Sequence, residues 1–349
     1  QEGDGEDSGV ELAGADFVWP RRSRPLENNF FDLDVFGDFA CFGLINRGWL
    51  CCHTLIVANF CYHDCMNNRS YNDRIIAYYR RSAWLYKYFW YSRRSLGMHC
   101  GFWLKDTKNN DEAITNQYKY LVAKASIDQS KKVLDAGCGV GGGAIYIAKN
   151  TGATVVGITI SPEQIIEAKK NARKAKVDHL TKFTLEDYTK TGFADNSFDV
   201  VFAIESVCYA YPKYVFLREA HRILKPGGFL IVNDGYANYV PHNEKEKLLV
   251  KQLCRGWQMR ELATVSDMSV VIRKAGFRHL VVQNQAKAVR PTLRSINRLV
   301  TLLKPLFLMT KSLKWQFFLS IADNVQALGT VAEMDHLGIV GYYSHIAQK

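Results

Sequence analysis

The sequence lacks any hydrophobic run long enough to cross a membrane as a helix. A spanning helix requires about 18 consecutive apolar residues, and the nearest candidate, residues 49–62, is too short. The residues before this segment are acidic rather than basic, which argues against a signal peptide. We therefore expect a cytoplasmic protein, with peripheral contact to a membrane as the one open alternative.

Cysteines with the paired spacing of a zinc site or a disulfide framework are also missing. Five of the nine cysteines lie within residues 1–65 and show no CxxC pair. The other four, at positions 100, 138, 208 and 254, suit a reducing compartment in which free thiols persist. The sequence therefore predicts no metal site and no disulfide scaffold.

Methionine is absent before Met66, and residues 1–65 differ in charge from the rest of the chain. They carry 11 acidic and 4 basic residues, whereas residues 66–349 carry 23 acidic and 41 basic residues. We expect residues 1–65 to be a leader, a disordered extension or translated upstream sequence that need not belong to the native protein. The basic remainder favours acidic surfaces, either anionic lipid or nucleic acid.

The most informative motif is a short apolar strand followed by a glycine loop, VLDAGCGVGGG at residues 133–143. Glycines at 137, 139 and 141 allow positive φ angles and a close approach of the backbone to a ligand. Asp135, at the end of the strand, would repel a pyrophosphate but attract an ammonium or sulfonium group. After the next strand, where a dinucleotide site needs an acid for the ribose, the chain has Thr159. The motif therefore indicates a small, positively charged cofactor.

The motifs that follow resemble those of the class I S-adenosylmethionine-dependent methyltransferases. They are GITISP at 157–162, LEDY at 185–188, FDVVFAIE at 198–205 and LKPGGFLIV at 224–232. The first of these, with AIESVCY at 203–209, is most similar to tocopherol- and sterol-type small-molecule enzymes. The resemblance begins near residue 70 and implies an α/β fold. Its core would be a seven-stranded, doubly wound Rossmann-like sheet with an antiparallel last strand.

The same resemblance implies how the chain holds S-adenosyl-L-methionine. The glycine loop would wrap the methionine part, with Asp135 near the positive charge. Asp187 would accept a hydrogen bond from the adenine amino group, with Glu186 as its rival. The predicted cofactor residues are Asp135, Gly137, Gly139, Gly141, Thr159, Gln164, Asp187 and Ile204.

Residues after the fourth strand are predicted to face the acceptor, because this fold binds ligands beyond the carboxyl ends of its strands. Glu205, Tyr209 and His99 are the predicted catalytic residues, and Asp234 and His336 are further candidates for a general base. The Asn/Asp-Pro-Pro-aromatic stretch of nucleic acid amino methyltransferases is missing here. Sterol enzymes carry a histidine where this chain has Tyr209.

Alternating strands and helices begin at residue 132, as expected for a parallel sheet covered by helices. An aromatic helix at 71–90 belongs to a predicted helical cap, residues 66–125, and the methyltransferase domain spans 126–349. Insertions are predicted at 236–265 and 288–335. The second is predicted to be a helical lid over the acceptor that can rest on an anionic membrane, and its basic residues are Arg290, Arg294, Arg298, Lys304, Lys311 and Lys314. The strands are predicted near 133–136, 154–158, 182–185, 198–203, 228–233, 279–284 and 339–347.

These observations predict an enzyme that methylates a small, apolar natural product such as a terpenoid, a sterol or a quinone-like ring. Two alternatives remain open at this point. One is a nucleic acid methyltransferase, which the positive charge favours, and the other is a non-catalytic protein that binds the cofactor or a membrane. The sequence specifies neither the acceptor atom nor the oligomeric state.

Overall fold

The computed structural model describes residues 71–83, 94–312 and 316–349, without the side chains of 299–300 and 303–323. The predictions for residues 1–65, for the aromatic residues 84–90 and for the side chains of Lys304, Lys311 and Lys314 lie outside the described part. Within it, no helix has the length and apolar character needed to span a membrane.

The described chain contains seven strands and nine helices longer than one turn. The strands are β1 (Lys132–Ala136), β2 (Thr154–Thr159), β3 (Thr181–Leu185), β4 (Phe198–Ile204), β5 (Leu224–Ala237), β6 (Arg278–Asn284) and β7 (Val340–Gln348). The helices are α1 (71–83), α2 (Asn110–Lys124), α3 (Gly142–Thr151), α4 (Pro162–Lys174), α5 (Lys213–Ile223), α6 (Glu244–Gly256), α7 (Val265–Lys274), α8 (Ala286–Ser312) and α9 (Gln316–His336). A short 3-10 helix, Val207–Tyr209, follows β4.

All seven strands form one sheet in the order β3-β2-β1-β4-β5-β7-β6. Strands β1 to β5 are parallel, and β7 runs antiparallel to both β5 and β6. The predicted seven-stranded, doubly wound sheet with an antiparallel last strand is therefore confirmed. Its parallel strands place Asp135, Thr159, Leu185 and Ile204 along one edge, which is where this fold binds ligands.

The central strands are apolar along their whole length because helices cover both faces of the sheet. Leu134, Val201 and Leu230 belong to the core on one face, whereas Val133, Phe202 and Ile231 belong to the core on the other. Burial of this kind contributes roughly 25 cal/mol for each Å² of apolar surface removed from water. The sheet therefore provides a rigid platform for the loops that follow its strands.

Strand β5 is longer than the sequence predicts, extending over 224–237 instead of 228–233. Lys225-Pro-Gly-Gly228 is typical of a turn, yet Leu224 already pairs with Phe198, and the register shifts before Val200 pairs with Phe229. The extra residues thus form an irregularity within the strand. At its other end β5 continues to Ala237 because β7 pairs with it there, so the first insertion begins after Ala237.

The two insertions pack on each other. α6, in the first insertion, contributes Leu249 and Leu253 to an apolar cluster, and α9, in the second, contributes Ala327, Val331 and Met334. The prediction that the second insertion is helical is confirmed by α8 and α9. Together these three helices cover one end of the sheet beside the carboxyl ends of β4 and β5.

Candidate active site

The glycine loop after β1 adopts the conformation that its sequence predicts. Gly137, Gly139 and Gly141 have φ angles of 88°, 52° and 91°, in the region that favours glycine. A Cβ atom on Gly137 would collide with the Cβ of Ser206, and one on Gly139 would lie 2.9 Å from Met98 Cε. The loop therefore has room for backbone only, which leaves its concave side open to a ligand.

Asp135 is a buried carboxylate at the floor of this loop. Only 4% of the residue is exposed, and its Oδ2 accepts a hydrogen bond from the N–H of Ala144 at 3.2 Å. Burial raises the pKa of Asp135 to about 7, although the Ala144 N–H opposes this shift. A bound cation would stabilise the charged form and bring the pKa back down. The site is therefore built to gain from a positively charged ligand.

A first cavity extends from Asp135 across the carboxyl ends of β2, β3 and β4. Its wall includes most of the residues that the sequence predicts for the cofactor, namely Asp135, Gly137, Gly139, Thr159, Gln164, Asp187 and Ile204. Thr159 donates a hydrogen bond to Gln164 Oε1 at 2.7 Å, which fixes both side chains in the wall. Ser161 accepts from the Gln164 N–H at 3.4 Å and caps α4, as its sequence predicts.

The structure separates Asp187 from its rival Glu186 and sets Gly141 apart from the other predicted cofactor residues. Asp187 lines the first cavity, whereas Glu186 is absent from its wall and accepts instead from the Gly192 N–H. Gly141 is set back from the wall, because it forms the turn into α3 and lies against the Phe183 ring. The geometry thus favours Asp187 over Glu186, and it gives Gly141 a shaping role within the loop.

Helix α1 closes the first cavity from outside the sheet. Tyr71, Asn72, Ile75 and Tyr79 line the cavity, and Asn72 Nδ2 donates to Asp187 Oδ2 at 2.7 Å. The described part of the predicted aromatic helix, residues 71–83, therefore lies against the first cavity. Asn72 itself was not predicted, because the residues that give it a role lie more than 100 positions away in the sequence.

A second cavity lies beside the first, between the sheet and the insertions. Its apolar wall comes from Leu253, Trp257, Met259, Leu293, Leu328 and Val331. Three carboxylates, Glu205, Asp234 and Asp335, also line it. Among the described residues of this wall there is no lysine or arginine, although Arg290 pairs with Asp335 at 3.1 Å.

Four residues line both cavities and so form the boundary between them: Tyr79, Met98, Glu205 and Tyr209. The hydroxyl groups of Tyr79 and Tyr209 lie 3.2 Å apart. The sequence predicts two of these four, Glu205 and Tyr209, from their position after β4. Tyr79 and Met98 reach the boundary from segments that precede β1.

Glu205 is held in an unusual geometry at this boundary. Its φ angle is 47°, a conformation that costs a non-glycine residue about 1 to 2 kcal/mol. Its Oε1 accepts from the Cys100 N–H at 2.8 Å. Burial raises the pKa of Glu205 to about 7, the Cys100 N–H opposes the shift, and repulsion from Asp234 adds to it. The carboxyl is thus poised to exchange a proton near neutral pH.

The other acid–base candidates occupy different positions. Asp234 lines the second cavity, and burial raises its pKa to about 6 against the N–H groups of Gly235 and Cys208. His99 lines the first cavity only, and its ring nitrogens bond Cys100 O at 2.8 Å and the Tyr118 hydroxyl at 3.1 Å. Burial lowers the pKa of His99 to about 4, so the ring is neutral. His336 is exposed at the end of α9, outside both walls.

Comparison with known proteins gives consistent matches. A methyltransferase domain family model matches residues 134–232. Methyltransferase GfsG of Streptomyces halstedii is 31% identical over 198 residues, which are 56% of this chain and 70% of that protein. Sterol 24-C-methyltransferase erg6 of Aspergillus fumigatus is 34% identical over 185 residues, which are 52% of this chain and 48% of that protein.

Among solved structures, a geranyl diphosphate methyltransferase in complex with GPP and sinefungin has the same fold. The TM-score is 0.61 at 16% sequence identity, covering 80% of this chain and 99% of that one. The chain spans about half the length of several curated relatives that it matches. The sequence resemblance to sterol-type methyltransferases is confirmed by these matches.

Proposed function

The chain belongs to the methyltransferase family, and from that premise we propose that it transfers a methyl group from S-adenosyl-L-methionine to a small, apolar acceptor. The observation that carries the proposal is the pair of adjoining cavities with Glu205 and Tyr209 in their common wall. Methyl transfer requires a donor and an acceptor in line and shielded from water. Two cavities that meet at one boundary meet this requirement.

The residues of the first cavity fit the proposed cofactor. When bound, S-adenosyl-L-methionine supplies a methyl group that is attached to a positively charged sulfur. The sulfur is an activated leaving group. Asp135 is a buried acid that gains from a cation, and the glycine loop offers backbone where a Cβ would intrude. Asp187 provides a carboxylate acceptor beyond β3, and Thr159 and Gln164 provide hydroxyl and amide groups beyond β2.

The second cavity would hold the acceptor, with Glu205 at the reacting end. If the acceptor loses a proton, the Glu205 carboxylate is positioned to take it, and if it develops positive charge, the same carboxylate stabilises that charge. Tyr79 and Tyr209 would orient the acceptor with their ring faces and hydroxyl groups. His99 would support this arrangement by holding the loop that carries the Cys100 N–H.

The charges in the wall of the second cavity indicate which class of acceptor it can hold. Asp335 is paired with Arg290, but Glu205 and Asp234 lie in an apolar wall without a lysine or arginine among its described residues, which favours a neutral acceptor or one that becomes positive. A diphosphate, as carried by the GPP bound to the structural neighbour, would be repelled. A nucleic acid would face the same repulsion, and the cover formed by α6, α8 and α9 would exclude a long polymer.

The direct test is to incubate the protein with methyl-labelled cofactor and, separately, with three kinds of acceptor: apolar small molecules, RNA and DNA. We expect label in an organic-extractable terpenoid, sterol or quinone-like product. Label in RNA or DNA would instead support a nucleic acid methyltransferase. Absence of transfer to every acceptor, with normal cofactor binding, would support the non-catalytic alternative.

We expect Leu328→Gln to weaken acceptor use while sparing the cofactor. Leu328 lines the second cavity and not the first, so an amide there places a polar group against an apolar acceptor. Such a group costs about 1 to 3 kcal/mol when it lacks a partner, which corresponds to a KM raised roughly 5- to 150-fold. Acceptor KM measured at saturating cofactor checks this.

Leu337→Gln is the matched control, because Leu337 is 43% exposed just after α9 and lines neither cavity. Its acceptor KM should equal that of the wild type. Equal KM values in all three proteins would show that the second cavity does not hold the acceptor.

We also propose that α8 contacts an anionic membrane peripherally, from a cytoplasmic location. Arg294, Arg298 and Leu302 are exposed, and their spacing of four residues places them on one face of the helix. Leu302 is 77% exposed, as an interfacial anchor requires. A basic and apolar helix face of this kind binds a membrane by burying the apolar side chain while the cations meet lipid phosphates.

Membrane contact by α8 is tested by flotation of the protein with anionic and with neutral vesicles at increasing salt concentrations. We expect binding to anionic vesicles only, decreasing as salt rises, because surface charges are screened over about 8 Å at physiological ionic strength. Arg298→Glu should reduce it, whereas Lys169→Glu, the same charge change on exposed α4, should not. Equal binding by both variants would contradict the role of α8.

A further inference from the structure

A lysine side chain is buried beside the turn that carries Tyr209. Lys213 is the first residue of α5, yet only 6% of it is exposed. Lysine is almost never buried to this degree unless it is paired, because removing its charge from water is costly. The burial of Lys213 therefore indicates specific partners for its ammonium group.

These partners are the two carbonyl groups on either side of Tyr209. Lys213 Nζ donates to Cys208 O at 2.9 Å and to Ala210 O at 2.8 Å. A Glu261 carboxylate oxygen lies 4.0 Å from the same nitrogen. An ammonium group has three N–H donors, so two of them hold the backbone, and the carboxylate adds an opposite charge beside the buried cation. The side chain thus connects α5 to the backbone that flanks Tyr209.

The turn does not provide partners for these carbonyls itself. Val207–Tyr209 is a single turn of 3-10 helix, and its last backbone hydrogen bond is donated by the N–H of Ala210. The carbonyls at the end of a helix have no partner within it, and a lysine side chain near that end can satisfy them. Lys213 does so for both Cys208 and Ala210.

A buried carboxylate holds the other side of Cys208. Asp234, which is 4% exposed, accepts the Cys208 N–H at Oδ2 and the Gly235 N–H at Oδ1, both at 2.9 Å. Cys208 thus has its N–H bound by a buried acid and its carbonyl bound by a buried lysine. Hydrogen bonds to charged groups are shorter and stronger than those between neutral groups. The backbone immediately before Tyr209 is therefore fixed at both of its polar groups.

We propose that Lys213 is a positioning residue that presents Tyr209 to the acceptor, with Asp234 as its counterpart on the other side of the turn. The inference rests on the proposed function, in which Tyr209 orients the acceptor at the boundary between the cavities. Lys213 lines neither cavity, so it acts through the backbone on either side of Tyr209. Without its donors the turn loses two bonds, and the Tyr209 ring no longer has a single orientation beside Tyr79.

The first test is the orientation of Tyr209, observed by fluorine NMR in protein labelled with fluorotyrosine. The Tyr209 resonance is assigned by its loss in Tyr209→Phe. Lys213→Met keeps an apolar stem but removes the donors, so we expect the Tyr209 resonance to shift and broaden as the ring samples several orientations. Lys225→Met is the matched control, because Lys225 pairs with Asp199 at 2.9 Å and lines neither cavity. Its Tyr209 resonance should coincide with that of the wild type.

The second test is turnover with the acceptor. Lys213→Met should lower kcat roughly 10- to 100-fold, because a misplacement of about 1 Å at a reacting centre has an effect of this size. Its affinity for S-adenosylhomocysteine should stay at the wild-type value, since the glycine loop does not depend on these bonds. Lys213→Gln, whose amide still has N–H donors on a shorter stem, should be intermediate in both tests.

An unchanged Tyr209 resonance in Lys213→Met overturns the proposal. Loss of folding and of cofactor binding in both Lys213 variants also overturns it, because Lys213 would then support the whole fold. The NMR measurement needs no acceptor. A protein that methylates nothing would therefore refute the proposed function, whereas the effect of Lys213 on Tyr209 would still be decided by the spectrum.

Discussion

Asp135→Asn is expected to weaken binding of S-adenosylhomocysteine roughly 10- to 100-fold, as measured by calorimetry. A hydrogen bond to a charged group contributes about 1.5 to 3 kcal/mol, and each 1.4 kcal/mol is a factor of ten. The amide keeps an oxygen for the Ala144 N–H, so the lost affinity measures the contribution of the negative charge on Asp135. Because a cation favours ionised Asp135, wild-type affinity should increase as pH rises through about 7, whereas the variant should show no such increase.

The stability of the same variant should change in the opposite direction. Asp135 has a pKa of about 7 in the fold and of about 4 in an unfolded chain, so the fold holds this proton more tightly. Its contribution to stability is therefore complete at acid pH and is lost as pH rises from about 4 to 7. At pH 8 the variant should melt at or above the wild-type temperature without ligand. Asp178→Asn, the same change at an exposed position, should alter neither property, and normal affinity in Asp135→Asn would place the cofactor elsewhere.

Glu205→Gln is expected to reduce kcat by roughly 100- to 10,000-fold, the range that a positioned acid or base contributes. The amide oxygen can still accept from the Cys100 N–H, so the loop and the left-handed backbone at this position should persist. Wild-type kcat/KM should fall below about pH 7, because protonation of Glu205 removes the charge on which either role depends. Radiolabel transfer at saturating cofactor, measured from pH 5.5 to 8.5, tests both expectations.

Glu186→Gln makes the same chemical change outside both cavities and should leave kcat within the error of the wild type. Cofactor affinity should be nearly equal in all three proteins. A Glu205→Gln enzyme with wild-type kcat and an unchanged pH profile would remove Glu205 from the chemistry and leave two carboxyls in the second cavity, Asp335, which is paired with Arg290, and Asp234. Asp234→Asn is then the next variant.

The parts of the site that the sequence predicts are those built from neighbouring residues. Asp135, Gly137 and Gly139 form one turn, and their chemistry is fixed by a strand, a carboxylate and the absence of Cβ atoms. Asp187 and Glu205 each follow a buried strand, so their place at the edge of the sheet follows from the parallel topology. These contributions depend on local structure and on the strand order, both of which leave a pattern in the sequence.

The residues that were not predicted act through contacts between distant segments. Asn72 has a role only because α1 lies over Asp187, and Met98 only because the segment before α2 reaches the boundary between the two cavities. Nothing in the local pattern of either segment distinguishes these side chains from ordinary core residues. The extension of β5 was missed for a related reason, since the turn-like Lys225-Pro-Gly-Gly228 is held in the strand by the Leu224–Phe198 and Phe229–Val200 pairs on either side of it.

Because β7 lies between β5 and β6, the sheet cannot be completed until residues 340–348 have left the ribosome. Translation proceeds at about 5 to 20 residues per second, so the interval between Ala237 and Gln348 lasts on the order of ten seconds. Throughout it, β5 presents an unpaired edge containing Leu230, Ile231 and Val232, and such edges recruit other chains. The nascent polypeptide therefore exposes an unpaired, aggregation-prone strand edge during this whole interval. We expect its soluble yield to depend on chaperone supply and on growth temperature more than its final fold suggests.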